Sequence, residues 1–150
     1  MMAVKRQIRT GSKGWPCAPP WKDPLDPMKK AAVIGATGYV GSNIVARLLS
    51  AGYSVSCGTR NAANAAWLSQ LPGGDACTFH EFDLGPPVDA EKMDALVSGC
   101  SAVYFAAGFE KQEPATITFM VESALAVIQS ARRQGCECVV LTSSGGSSNR

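Results

Sequence analysis

A chain of 150 residues with ordinary apolar content is long enough for one domain with a buried core. No apolar run approaches the roughly 18–20 residues that a membrane-spanning helix needs, so no membrane segment is expected. The net charge of +2 divides into +5 over residues 1–30 and −3 over the remainder. A mildly acidic body is poorly suited to phosphate-backbone contacts, and no nucleic-acid partner is expected.

Residues 1–28 carry five prolines between Pro16 and Pro27 and no apolar signal core, so they read as a disordered, basic, proline-rich extension. Arg6 and Arg9 give it a faint likeness to a mitochondrial presequence, but the amphipathic helix is missing, and a cytoplasmic location is expected. Met28-Lys29-Lys30 directly before an apolar run looks like a native start, which would make residues 1–27 an upstream artefact of the gene reading. Six cysteines and one histidine, with no C-x-x-C pair, predict reduced structural thiols, a reducing compartment and no metal site.

From residue 30 onward short apolar runs alternate with helical patterns, as in βαβ units. Ala31–Ile34 is the first strand, continuously apolar as befits a strand covered on both faces. Val40, Ile44, Val45, Leu48 and Leu49 mark a helix closed by Gly52. Tyr53–Thr59 is the second strand, Asn61–Leu71 an alanine-rich helix, and Ala76–Phe82 the third strand. Val88–Ser98 is a short amphipathic helix and Ala102–Ala106 the fourth strand. A long helix over Pro114–Gln134 is expected to bury Ile117, Met120, Val121, Leu125 and Ile128. Cys138–Thr142 is the fifth strand. Strands separated by helices imply a parallel sheet, and right-handed crossovers give the doubly wound (Rossmann) order 3-2-1-4-5.

Gly35-Ala36-Thr37-Gly38-Tyr39-Val40-Gly41 falls at the junction of the first strand with its helix. There Gly35 permits a tight turn, Gly38 lets a diphosphate approach bare backbone, and Gly41 lets the helix pack close. The helix N-terminus adds unpaired N–H groups and a positive dipole end. This position and its flanking elements predict dinucleotide binding.

Together, Gly35–Gly41, Gly52-Tyr53, Thr59-Arg60, Asp83-Leu84 and Leu141-Thr142-Ser143-Ser144 resemble the extended short-chain dehydrogenase/reductase (NAD-dependent epimerase/dehydratase) family. The likeness covers about residues 29–146 and points to its dihydroflavonol reductase, cinnamoyl-CoA reductase and 3β-hydroxysteroid dehydrogenase branch. It implies a nicotinamide dinucleotide held by Gly35, Thr37, Gly38, Tyr39, Val40 and Gly41. NAD-preferring members place a carboxylate where Thr59 stands, and no acid is near it in the sequence. Arg60 suits a 2′-phosphate, so NADP is favoured over NAD. Trp67 stands where related reductases supply a second basic residue. Asp83 and Leu84 would meet the adenine, Ala106 and Ala107 would lie against the ribose, and Ser143 would serve the cofactor side.

The same resemblance implies a carbonyl/hydroxyl oxidoreductase in which Ser144 hydrogen-bonds an unknown small-molecule substrate. The family's proton donor belongs to a Tyr-x-x-x-Lys pair. Here Tyr39, Tyr53 and Tyr104 are followed four residues later by Asn43, Cys57 and Gly108. The chain therefore reads as the first, incomplete part of a longer protein, inactive by itself, with its fifth strand an exposed apolar edge. Two alternatives stay open: a non-catalytic regulator resembling the NmrA-like sensors, and a pseudoenzyme or interaction fragment. The resemblance implies a homodimer through the long helix, whose apolar stripe could equally serve the sheet. His80 reads as an outward-facing strand residue, and Arg132-Arg133 as a solvated helix end.

Overall fold

A computed structural model describes residues 29–108 and 114–143, with only the backbone at 114 and 115. The proline-rich extension, Cys17 and Ser144 lie outside the described residues. Five strands, β1 Lys30–Ile34, β2 Ser54–Thr59, β3 Cys77–Glu81, β4 Ala102–Phe105 and β5 Cys138–Leu141, form one sheet. All pairings are parallel, in the order β3-β2-β1-β4-β5 that the alternation predicts. The central strand β1 is buried on both faces: Ala31 and Val33 point to one core, Ala32 and Ile34 to the other.

Helix α1, Tyr39–Ser50, covers the first face through Val45, Leu48 and Leu49. Gly52, at φ +81°, takes the left-handed turn after it, and Tyr53 N–H bonds back to Leu48 O at 3.0 Å. Val40, the first residue of the apolar recurrence, is exposed. The alanine-rich segment is a 3-10 helix, Ala63–Gln70, that buries only Ala65 and Leu68. Asn61 Oδ1 accepts from the N–H groups of Ala63 and Asn64, which accounts for its place at the segment's start. A second 3-10 turn, Gly74–Ala76, leads into β3. Beyond α1, Tyr39, Asn43, Ile44, Arg47, Tyr53 and Tyr104 line a groove of about 620 Å³ on this face, reaching β4.

The opposite face is covered by α2, Ala90–Val97, and α3, Pro114–Arg133. Asp89 caps α2, accepting from Glu91 and Lys92 N–H at 3.1 Å each. Met93, Leu96 and Val97 meet Ala32, Ile34, Val103 and Phe105.

The expected buried side of α3 is corrected. Ile117, Val121, Leu125 and Ile128 are 57%, 53%, 50% and 40% exposed, and of the expected set only Met120 packs against the core. The buried seam is Ser123, Val127, Ser130 and Ala131, rotated from the apolar stripe by about one residue, or roughly 100°. Small side chains let α3 approach closely, and each serine is hydrogen-bonded. Ser123 Oγ donates to Phe119 O at 2.7 Å and to Leu84 O at 3.1 Å, and Ser130 Oγ donates to the Asp94 carboxylate.

Arg133 is likewise more than a solvated helix end. Its Nε and Nη2 grip both Asp94 oxygens, at 3.1 and 2.8 Å, tying α3 to α2. That guanidinium, then Ser130, holds the Asp94 carboxyl below the usual carboxylate range. Val140 and Leu141 are exposed on β5, an edge strand among the described residues. Within the described residues no helix is long and apolar enough to cross a membrane.

Candidate functional site

The C-terminal ends of β1, β2, β3, β4 and β5 bring the predicted residues to one edge of the sheet, as parallel topology requires. The glycine turn leaves β1 at Ile34 and is pinned to its neighbour: Gly35 and Ala36 N–H donate to Gly58 O at 3.2 and 3.3 Å. Gly35 has φ +80°, and a Cβ there would meet Ala107 N at 2.8 Å and Ala106 C at 3.0 Å. The turn thus requires glycine twice over, for its dihedral and for its contact with the end of β4. Ala106 and Ala107 are part of the cradle through their backbone. Their small side chains are half-buried.

Gly41 answers a different constraint. A Cβ there would overlap the carbonyl oxygen of Gly35 and come within 2.8 Å of its carbon, so the first turn of α1 rests directly on the loop. Gly38 is exposed, and the nearest atom to a Cβ there is Gly35 O at 3.3 Å. It is the N-cap of α1, with no side-chain cap and no acid in the first turn. Ser42 N–H is the first to bond back along the helix, to Gly38 O at 2.9 Å, so the N–H groups of Tyr39, Val40 and Gly41 precede the ladder. Uncapped N–H groups, bare backbone and the positive end of a 12-residue helix converge beside exposed Thr37 and Tyr39. Chemically, this cradle fits a diphosphate.

The turn after β2 is stiff. Thr59 Oγ1 donates to Asn61 O at 3.1 Å and accepts from Asn61 N–H at 3.3 Å. Arg60 between them is exposed, with no hydrogen bond or ion pair among the described residues. One carboxylate near this turn escaped the sequence reading. Glu81 is the register partner of Thr59, and its Oε2 accepts from Ala62 N–H at 3.1 Å. Ala62 and Glu81 lie 19 positions apart, and only strand pairing brings them together. Gly58 was also missed: a Cβ there would stand 2.8 Å from the Phe82 ring.

Asp83 is exposed at the end of β3, with Oδ1 accepting from Gly85 N–H at 3.0 Å. Leu84 is half-buried and packs against the α2–α3 core, so its side chain serves packing. Thr142 N–H and Oγ1 both donate to Phe105 O at 3.0 Å, which places exposed Ser143 just past β5 at the same edge. Ser144, the expected substrate contact, lies outside the described residues. His80 is half-buried on β3 rather than fully outward, and burial followed by the Lys30 charge lowers its pKa. Among the described residues, Cys57, Cys77, Cys100, Cys136 and Cys138 are thiols outside any disulfide.

The family described as NAD(P)H-binding matches residues 35–150. Dihydroflavonol 4-reductase of Hordeum vulgare is 33% identical over 127 residues, covering 78% of this chain and 35% of that protein. Cinnamoyl-CoA reductase 1 of Oryza sativa subsp. japonica is 35% identical over 117 residues, covering 76% of this chain and 34% of its own length. The chain therefore spans about a third of the curated relatives it matches. Among solved structures, vestitone reductase from alfalfa superposes with a TM-score of 0.64 at 28% identity, over 77% of this chain and 36% of that one. NmrA, a negative transcriptional regulator solved in complex with NAD, gives a TM-score of 0.60 at 19% identity, over 77% of this chain and 33% of that one, a likeness of fold.

Proposed function

Because this chain belongs to the NAD(P)H-binding family, and its relatives include the dihydroflavonol and cinnamoyl-CoA reductases, we propose that it holds NADP(H) in preference to NAD(H). On this reading it is the cofactor-binding portion of an extended short-chain oxidoreductase acting on a carbonyl or hydroxyl substrate. The observation that carries the proposal is the uncapped N-terminus of α1 opening onto Gly38, framed by a turn in which Gly35 and Gly41 admit no side chain. Gly35–Gly41 would hold the diphosphate, Arg60 the 2′-phosphate, Asp83 the adenine amino group, and Ala106–Ala107 and Ser143 the remaining sugar and nicotinamide side. The bound dinucleotide would supply hydride; the chain's own residues bind and orient it.

Fluorescence titration of the 150-residue chain with NADPH and NADH tests the reading. Saturable binding of both, tighter for NADPH, is expected. No saturation with either removes it.

Turnover by these 150 residues is not expected, since they contain no Tyr-x-x-x-Lys pair. A second reading is a non-catalytic dinucleotide-binding regulator using the same site, in keeping with the fold shared with NmrA. Steady NADPH oxidation with any carbonyl substrate would remove it. The exposed stripe of α3 is the surface proposed for a second copy of this chain, since the resemblance implies a homodimer through this helix. Light scattering on wild type and Val121→Glu decides: a dimer that the substitution splits supports it, and a monomeric wild type overturns it. A reducing cytoplasmic location remains part of the proposal, in keeping with thiols that form no disulfide among the described residues.

A further inference from the structure

The N–H groups that open the 3-10 helix after β2 already have acceptors. Glu81 Oε2 takes Ala62 N–H at 3.1 Å, and Asn61 Oδ1 takes those of Ala63 and Asn64 at 2.9 and 3.3 Å. The turn therefore carries a negative charge tied to backbone, Glu81, and an exposed positive charge with no ion-pair partner among the described residues, Arg60. From this juxtaposition we infer that Glu81 is a specificity-determining residue that opposes Arg60 and restrains the preference for NADP over NAD. The inference rests on the dinucleotide reading above.

The physical argument concerns charge. Glu81 is exposed, yet its carboxylate is held at the turn by strand register with Thr59 and by the bond to Ala62. A 2′-phosphate brings about two negative charges to the neighbourhood of Arg60, and a carboxylate fixed at the same turn repels it. A ribose 2′-OH carries no charge and meets no such repulsion. Arg60 attracts the phosphate, so the proposed preference is the difference of two opposed terms.

Glu81→Gln separates them, because the amide oxygen can still accept from Ala62 N–H while the charge is gone. Dissociation constants for NADPH and NADH are measured by titration on the full chain, with circular dichroism confirming the fold. The expected result is NADPH binding tightened about three- to tenfold, the size of surface charge–charge effects, with NADH changed less than twofold. Glu81→Lys, also at an exposed position, must move the ratio further in the same direction. Equal change for both nucleotides, or none in either variant, overturns the role of Glu81 while leaving the site reading intact. Failure of wild type and both variants to bind either nucleotide overturns both.

Discussion

A Cβ placed on Gly41 would overlap the carbonyl oxygen of Gly35, six residues earlier in the same turn. The contact joins the end of β1 to the first turn of α1 and fixes where the helix dipole points. Gly38, three residues from each, is exposed, and a Cβ there would meet only Gly35 O at 3.3 Å, a much lighter packing demand. The three glycines thus make separable predictions.

Gly41→Ala is expected to lower stability by about 2 kcal/mol or more, because backbone must move to admit the methyl. Gly38→Ala, at an ordinary φ of −74°, is expected to cost less than about 1 kcal/mol yet weaken NADPH binding tenfold or more. Urea unfolding and nucleotide titration on the same samples check both. A Gly38→Ala protein that binds normally contradicts the diphosphate site.

Arg60 is exposed and has no ion-pair partner within the described residues, so its loss should not disturb the fold. Arg60→Glu is expected to weaken NADPH binding at least tenfold more than NADH binding, given charge reversal beside a phosphate. Equal weakening of the two nucleotides would remove the argument for NADP.

The Asp94–Arg133 bridge predicts a pH signature. Asp94 has its pKa depressed in the folded chain, so the bridge's contribution is complete above the unfolded carboxylate value of about 4. It is lost as pH falls through the lower folded value. The melting temperature of Asp94→Asn should therefore sit a few degrees or less below wild type near neutrality, with the gap closing at acid pH. A gap that widens on acidification would contradict the assignment.

The α3 helix offers a test of burial by substitution. Val121→Glu, on the exposed stripe, is expected to change the monomer's stability by less than about 0.5 kcal/mol. Leu96→Ala, in the core that α3 covers, is expected to cost about 2–5 kcal/mol. If Val121→Glu proves the more damaging to the monomer, the buried seam has been placed on the wrong side.

Thiol accessibility separates the cysteines. Cys57 is fully buried, and burial, then Cys77, pushes its thiol far above the ordinary range. Cys100 is also buried and raised by burial. Both should resist maleimide in the native protein and react once it unfolds, while half-buried Cys136 and Cys138 label earlier. Rapid native labelling of Cys57 would contradict its place in the core.

Much of the architecture is local enough to be read from residue order. Continuous apolar runs such as Ala31–Ile34 and the helical recurrence of Val45, Leu48 and Leu49 decide element type, because burial repeats at the period of the backbone. Handed crossovers then leave one strand order, and glycines between a strand and a helix mark where a phosphate can approach. What residue order could not decide was which side of α3 lies inward, and which acid stands near Arg60. The first depended on Asp94 and Leu84, distant in sequence, supplying partners for Ser130 and Ser123 so that small polar residues could be buried in place of Val121 and Leu125. The second depended on the β2–β3 register, which sets Glu81 opposite Thr59. Both are pairings between separate elements, and periodicity within one element carries no information about its neighbour's polar groups.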